Sequence, residues 1–220
     1  MFKRGIVICM VMSLIFSGIL TSCSSPPEGS AEWYFDRAYE MASKGRFEDA
    51  VSEYTKVIDA APAMAGAYIN RAAAYASLEK YDQCIADSTK AISLDPELAF
   101  AYINRAFAYN AIGEYELAVA DCAKAIETDR SIAEAYVTRA LAYIGLGKLN
   151  LSIADCNKAV ELDPDYALAY FYRALARKSL DMKDEAIADF EKFIELTTDP
   201  TWSETATYEI SQLTSEKEQE

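Results

Sequence analysis

The chain has 220 residues, 52% hydrophobic and 25% charged, which is enough apolar material for one or two packed domains. Its formal net charge of −14 repels phosphate backbones and anionic headgroups, so nucleic acid is excluded as a natural partner and a neutral or basic one is expected. With no histidine, imidazole-based triads, general bases and metal sites are excluded too.

In chain order, Lys3 and Arg4 precede an apolar run from Ile6 to Leu20. That run falls short of the roughly 20 residues a spanning helix needs. A positive start followed by such a run reads as a secretory signal over residues 1–22. It ends in Leu20-Thr21-Ser22-Cys23, which resembles the bacterial lipobox. The resemblance implies a lipid on Cys23, a new N-terminus there, and residence on the outer side of a membrane, whether the cell membrane or an outer membrane. An ordinary cleaved signal or an uncleaved anchor is the plainer alternative. Residues 23–30 are rich in Ser, Pro and Gly and read as a flexible linker.

Beyond the linker, one offset recurs. Ala-Tyr-Ile-Asn-Arg-Ala stands at 67–72 and again at 101–106. Tyr34, Tyr68, Tyr102, Tyr136 and Tyr170 share this spacing of 34, as do Arg37, Arg71, Arg105, Arg139 and Arg173. A fixed period in this range means stacked supersecondary units, none able to bury its apolar face alone. Five units follow: 31–64, 65–98, 99–132, 133–166 and 167–200. Each reads as two helices. The first carries Tyr at position 4, Arg at 7 and Ala at 8, and a break follows at position 15, with Gly45, Gly113 or Gly147. The second has small residues at 20 and 27, except for Phe193, and ends near a proline at 32.

This pattern resembles the tetratricopeptide repeat (TPR). The resemblance implies an all-α, right-handed α-solenoid of five helix-turn-helix units, with first helices lining a concave groove. In unit 3 Arg130 replaces the proline. In unit 5 Arg177 replaces the position 11 tyrosine and Pro200 comes two residues late. Residues 201–220 are expected to form a capping helix and acidic tail, with Trp202, Ala206, Ile210 and Leu213 on one stripe.

The family's groove positions place Phe35, Tyr39, Ile69, Asn70, Phe100, Ile103, Asn104, Phe107, Val137, Leu141, Ile144, Leu168, Phe171 and Leu175 on the concave side. An open apolar surface of that kind marks a site for an apolar peptide or amphipathic helix. Burial of the same residues against neighbouring units is the competing reading. Asn70 and Asn104 match the asparagine of the family's carboxylate clamp. Its cationic partners are replaced by Phe35, Tyr39 and Phe100, so recognition of that kind is disfavoured.

Arginine at position 7 faces an acid at 23 in every unit (Glu53, Asp87, Asp121, Asp155, Asp189), which suggests an ion-pair ladder; acids standing alone in solvent are the alternative. An arginine among packing positions needs a partner, so losing the acid (Asp121→Leu) should cost more than losing the arginine (Arg105→Leu). Cys84, Cys122 and Cys156 fall on packing positions and read as buried thiols, not as a metal or disulfide set. No phosphate loop, nucleophile turn or metal cluster is present, so no catalytic residue and no cofactor is expected. The expected function is a membrane-anchored, non-enzymatic scaffold that binds another protein. The alternative is a self-associating protein, such as a homodimer, whose groove holds its own or a neighbour's C-terminal helix.

Overall fold

A computed structural model describes residues 26–217; the signal segment and Cys23 lie outside the described residues. Helices alternate with short turns: α1 (Ala31–Ser43), α2 (Phe47–Ala60), α3 (Ala65–Ser77), α4 (Tyr81–Leu94), α5 (Ala99–Ile112), α6 (Tyr115–Thr128), α7 (Ala133–Gly145), α8 (Leu149–Leu162), α9 (Ala167–Ser179), α10 (Lys183–Leu196) and α11 (Pro200–Lys217). All eleven described elements are helical, as the period of 34 requires.

The turns explain part of the pattern. After α1, α3, α7 and α9 the position 16 amide donates to the position 11 carbonyl, as in Arg46 N to Met41 O at 2.9 Å. This six-to-one closure ends a helix with one residue in the left-handed region. Position 15 is that residue: Gly45, Gly113 and Gly147 have φ of 72°, 87° and 69°. Units 2 and 5 place Glu79 and Asp181 there, at φ 56° and 61°. The linker also has a local role at its end, since the Ser30 hydroxyl accepts from the Trp33 amide and caps α1.

The chain divides between Ile112 and Gly113 into two compact units. In the N-terminal unit α1 pairs with α2, α3 pairs with α4, and α5 lies against α3 and α4. In the C-terminal unit α6 lies on α7, α7 pairs with α8, α9 pairs with α10, and α11 covers α10. Alanine at position 8 of every repeat and the small residue at position 20 (Ala50, Cys84, Ala118, Ser152, Ala186) are completely buried. Nothing larger fits where two helix axes approach to about 8–10 Å.

Phe193, the large residue at position 27, stands where no further repeat follows. Its ring lies 4.9 Å from Phe171 and 6.0 Å from Trp202, which itself meets Phe171 edge-on at 4.8 Å. A phenyl ring fills the space that a following helix pair would occupy, and α11 closes over it. Ala206 and Leu213 are buried in that contact, and Trp202 and Ile210 pack against the same core. Lys178–Glu209 and Lys217–Asp184 ion pairs fasten α11. Pro200 is the first residue of this helix, with Asp199 Oδ1 accepting from the Thr201 amide at 2.8 Å. Its late position therefore opens the cap and does not close repeat 5.

Candidate peptide-binding face

Position 7 arginines tie the helix pairs together. Arg71 forms two bonds to Asp87 at 2.7 and 2.8 Å, Arg139 repeats them with Asp155, and Arg173 with Asp189 at 2.9 and 2.6 Å. Arg37 reaches Glu53 more loosely, at 3.8 Å. Those acids hold the Arg71 and Arg139 guanidiniums above their ordinary pKa, against the opposing effect of burial. Each of these two arginines is also sandwiched between tyrosines, Tyr68 and Tyr75 or Tyr136 and Tyr143, at 5.8–5.9 Å. A third link runs back one repeat, from Arg71 to Thr55 Oγ1 and from Arg173 to Asn157 Oδ1.

The expected greater cost of losing the acid does not hold: Asp155 retains 10% of its side-chain exposure and Arg139 19%. The acid is thus the more buried partner, and removing the arginine also strands a charge. In repeat 5, Arg177 takes the tyrosine's place and adds a second cation to Asp189, at 2.6 Å. Arg130 in place of the proline keeps the tyrosine's hydrogen bond. The position 4 tyrosine hydroxyl uses only a backbone carbonyl there, Pro62 for Tyr68, Arg130 for Tyr136 and Pro164 for Tyr170.

The fourteen groove candidates separate by depth. Ile69, Ile103, Asn104, Phe107, Val137 and Phe171 are buried. Position 5 points between a first helix and its neighbours in the stack, so from the second repeat onward it is core. Phe107, at position 9, packs among Ala72, Ala76 and Cys84 with its ring edge-on to Tyr81. Asn104 donates to the Ile69 carbonyl at 3.1 Å while its own carbonyl accepts from Cys84 Sγ, so it joins α5 to α3 and α4. The clamp asparagine thus has a structural role.

Phe35, Tyr39, Asn70 and Phe100 in the N-terminal unit stay partly exposed, as do Leu141, Ile144, Leu168 and Leu175 in the C-terminal unit. Within the latter, Leu141 and Ile144 follow one stripe of α7; on α9 Leu175 holds the position of Leu141, and Leu168 lies two turns earlier on the same stripe. These four leucine and isoleucine side chains pack on the core with one side only.

One residue of this face escaped the sequence reading. Glu134 holds position 2 of α7, the place of Phe100 and Leu168 in the adjacent repeats. Burial pushes its carboxyl up to about 7. The charge on Glu134 and desolvation together raise Tyr166, at the start of α9, with desolvation the larger cause. An acid recurring at position 2 only in Glu32 and Glu134 was a faint signal against five repeats of apolar periodicity. Among the described residues no group of carboxylates and thiols is arranged to hold a metal ion. Cys84, Cys122 and Cys156 are buried free thiols, each with its pKa raised by desolvation. No described helix is long and apolar enough to cross a membrane.

Paired helices that repeat one internal arginine lock, with partly open apolar side chains on α1, α5, α7 and α9, define an α-helical repeat protein of the solenoid class. The tetratricopeptide repeat family matches residues 65–98, 101–132, 133–166 and 167–200, and the chain belongs to that family. Among curated proteins none matches it. Solved structures do. TTC0263, a thermophilic TPR protein in Thermus thermophilus, is 18% identical with a TM-score of 0.74, over 82% of this chain and 99% of that one. A MamA protein structure is 27% identical with a TM-score of 0.61, over 75% and 90%. YrrB, described as a TPR protein with an unusual peptide-binding site, is 19% identical with a TM-score of 0.58, over 83% and 94%.

Proposed function

We propose that the protein is a non-enzymatic adaptor, held to a membrane by a lipid on Cys23, whose first helices receive an apolar or amphipathic segment of another protein. Membership of the tetratricopeptide repeat family supports a protein-interaction scaffold. The observation that carries the finer reading is the partly exposed stripe of Leu141, Ile144, Leu168 and Leu175. Partly exposed Leu141 and Leu175, in register on adjacent first helices with Ile144 and Leu168 along the same stripes, offer a peptide the apolar anchors that interfaces of this kind use. In the N-terminal unit Phe35, Tyr39 and Phe100 offer aromatic anchors of the same sort. That the C-terminal helix packs its apolar stripe on α10 and Phe171 supports a segment of another protein as the occupant.

Photocrosslinking tests the face. A crosslinker placed at Ile144 or Leu168 in native membranes should capture a defined protein, and adding Leu141→Asp with Leu175→Asp should abolish the capture. An unchanged crosslinked product in the double variant refutes the site. Anchoring has its own test: Cys23→Ser should block lipid labelling and release the protein from membranes in detergent-free buffer.

A further inference from the structure

Glu134 is an unmatched charge in an otherwise apolar stripe. It begins the stripe that continues through Val137, Leu141 and Ile144 on α7. The buried acids Glu53, Asp87, Asp155 and Asp189 each have an arginine within 3.8 Å. Among the described residues no group hydrogen-bonds or ion-pairs with the Glu134 carboxylate. The titratable groups that feel its charge are Tyr166 of the α8–α9 turn and Cys122 of α6, and neither supplies a positive charge. The first turn of a helix favours an ionised acid, yet burial here outweighs that effect. Glu134 is half-buried, so its carboxylate is reachable from solvent yet crowded by apolar neighbours, and a ligand cation there would offset its partial desolvation.

We propose that Glu134 receives the lysine or arginine of an amphipathic peptide whose apolar side chains lie on Leu141 and Leu168. The occupant is thus an apolar segment with one basic residue, drawn from a partner protein. This rests on the peptide-binding reading above. A lysine or arginine suits the site because its aliphatic stem covers apolar surface while its charge reaches the acid. The chain's own charge of −14 favours the same partner. Such a ligand also explains why the position is acidic where Phe100 and Leu168 stand in the adjacent repeats. Binding should tighten as pH rises through about 7, since only the ionised carboxylate attracts the cation.

The test is selection of a random 12-residue displayed peptide library on the full-length protein in mild detergent. On the native protein, apolar peptides with a basic residue at one fixed place should be enriched. On Glu134→Gln the apolar positions should persist and the basic preference vanish, and on Glu134→Lys an acidic residue should replace it. Exchanging the lysine of the best peptide for norleucine should weaken binding to the native protein about tenfold and leave binding to Glu134→Gln unchanged. If basic residues are equally frequent on the native and Glu134→Gln proteins, or the norleucine peptide binds the native protein as well, the role of Glu134 falls while the peptide-binding reading stands. If nothing is enriched, or Leu141→Asp with Leu175→Asp leaves the enrichment unchanged, both fall.

Discussion

Asp155→Leu removes the acceptor of two hydrogen bonds from Arg139, 2.7 and 2.8 Å long. Taking one partner from a buried pair costs about 3–5 kcal/mol, because the other charge stays behind. Arg139 keeps its tyrosine sandwich and 19% of its side-chain exposure, which places the expected loss near the lower end, at about 3 kcal/mol. Arg139→Leu should cost a comparable amount at pH 7.5, since Asp155 is the more buried of the two. The double Leu variant should lose less than either single one, because no charge is left unpaired. Urea unfolding followed by circular dichroism measures these differences, with hydrogen exchange in α7 and α8 as the local readout. Single variants within about 0.5 kcal/mol of the native protein, or a double variant equal to the sum of the singles, would refute the argument.

Glu79→Gly should stabilise the chain by up to about 1 kcal/mol, because Glu79 holds a left-handed φ that glycine adopts freely; an unchanged or lowered urea midpoint would contradict this. Trp202→Ala should cost about 3 kcal/mol and remove exchange protection from α10 and α11 first, since the ring closes the Phe171–Phe193 cluster; protection lost evenly along the chain would tell against a local cap. Glu134→Gln should leave stability unchanged near pH 4 and raise it by up to about 3 kcal/mol at pH 8. The sign follows from a folded carboxyl raised from 4.5 to about 7, so that the native state holds the extra proton between those values and loses stability as pH rises through them. A pH-independent difference would remove that assignment. Cys84, Cys122 and Cys156 should resist alkylation in the native protein and react in urea, as peptide mass spectrometry would record; labelling of any of them without denaturant contradicts their burial.

The period of 34 by itself determines the helices, their turns and the close-packed positions. Small residues at 8 and 20 can serve only where two axes meet, and one arginine per repeat among packing residues must find an acid. Local rules decide these things, because helix pairs depend on their own residues and on the next pair. Depth on the groove face was not legible. Ile69 and Leu141 have the same chemistry in sequence, yet one is buried and the other half-open, since exposure depends on which neighbouring side chains reach across. Phe193 looked like an exception until α11 was placed over it. The partial burial that perturbs Glu134 is likewise absent from the pattern of its own helix. Periodicity reports what each residue meets within its own helix pair. Only the stacked pairs determine how much water remains.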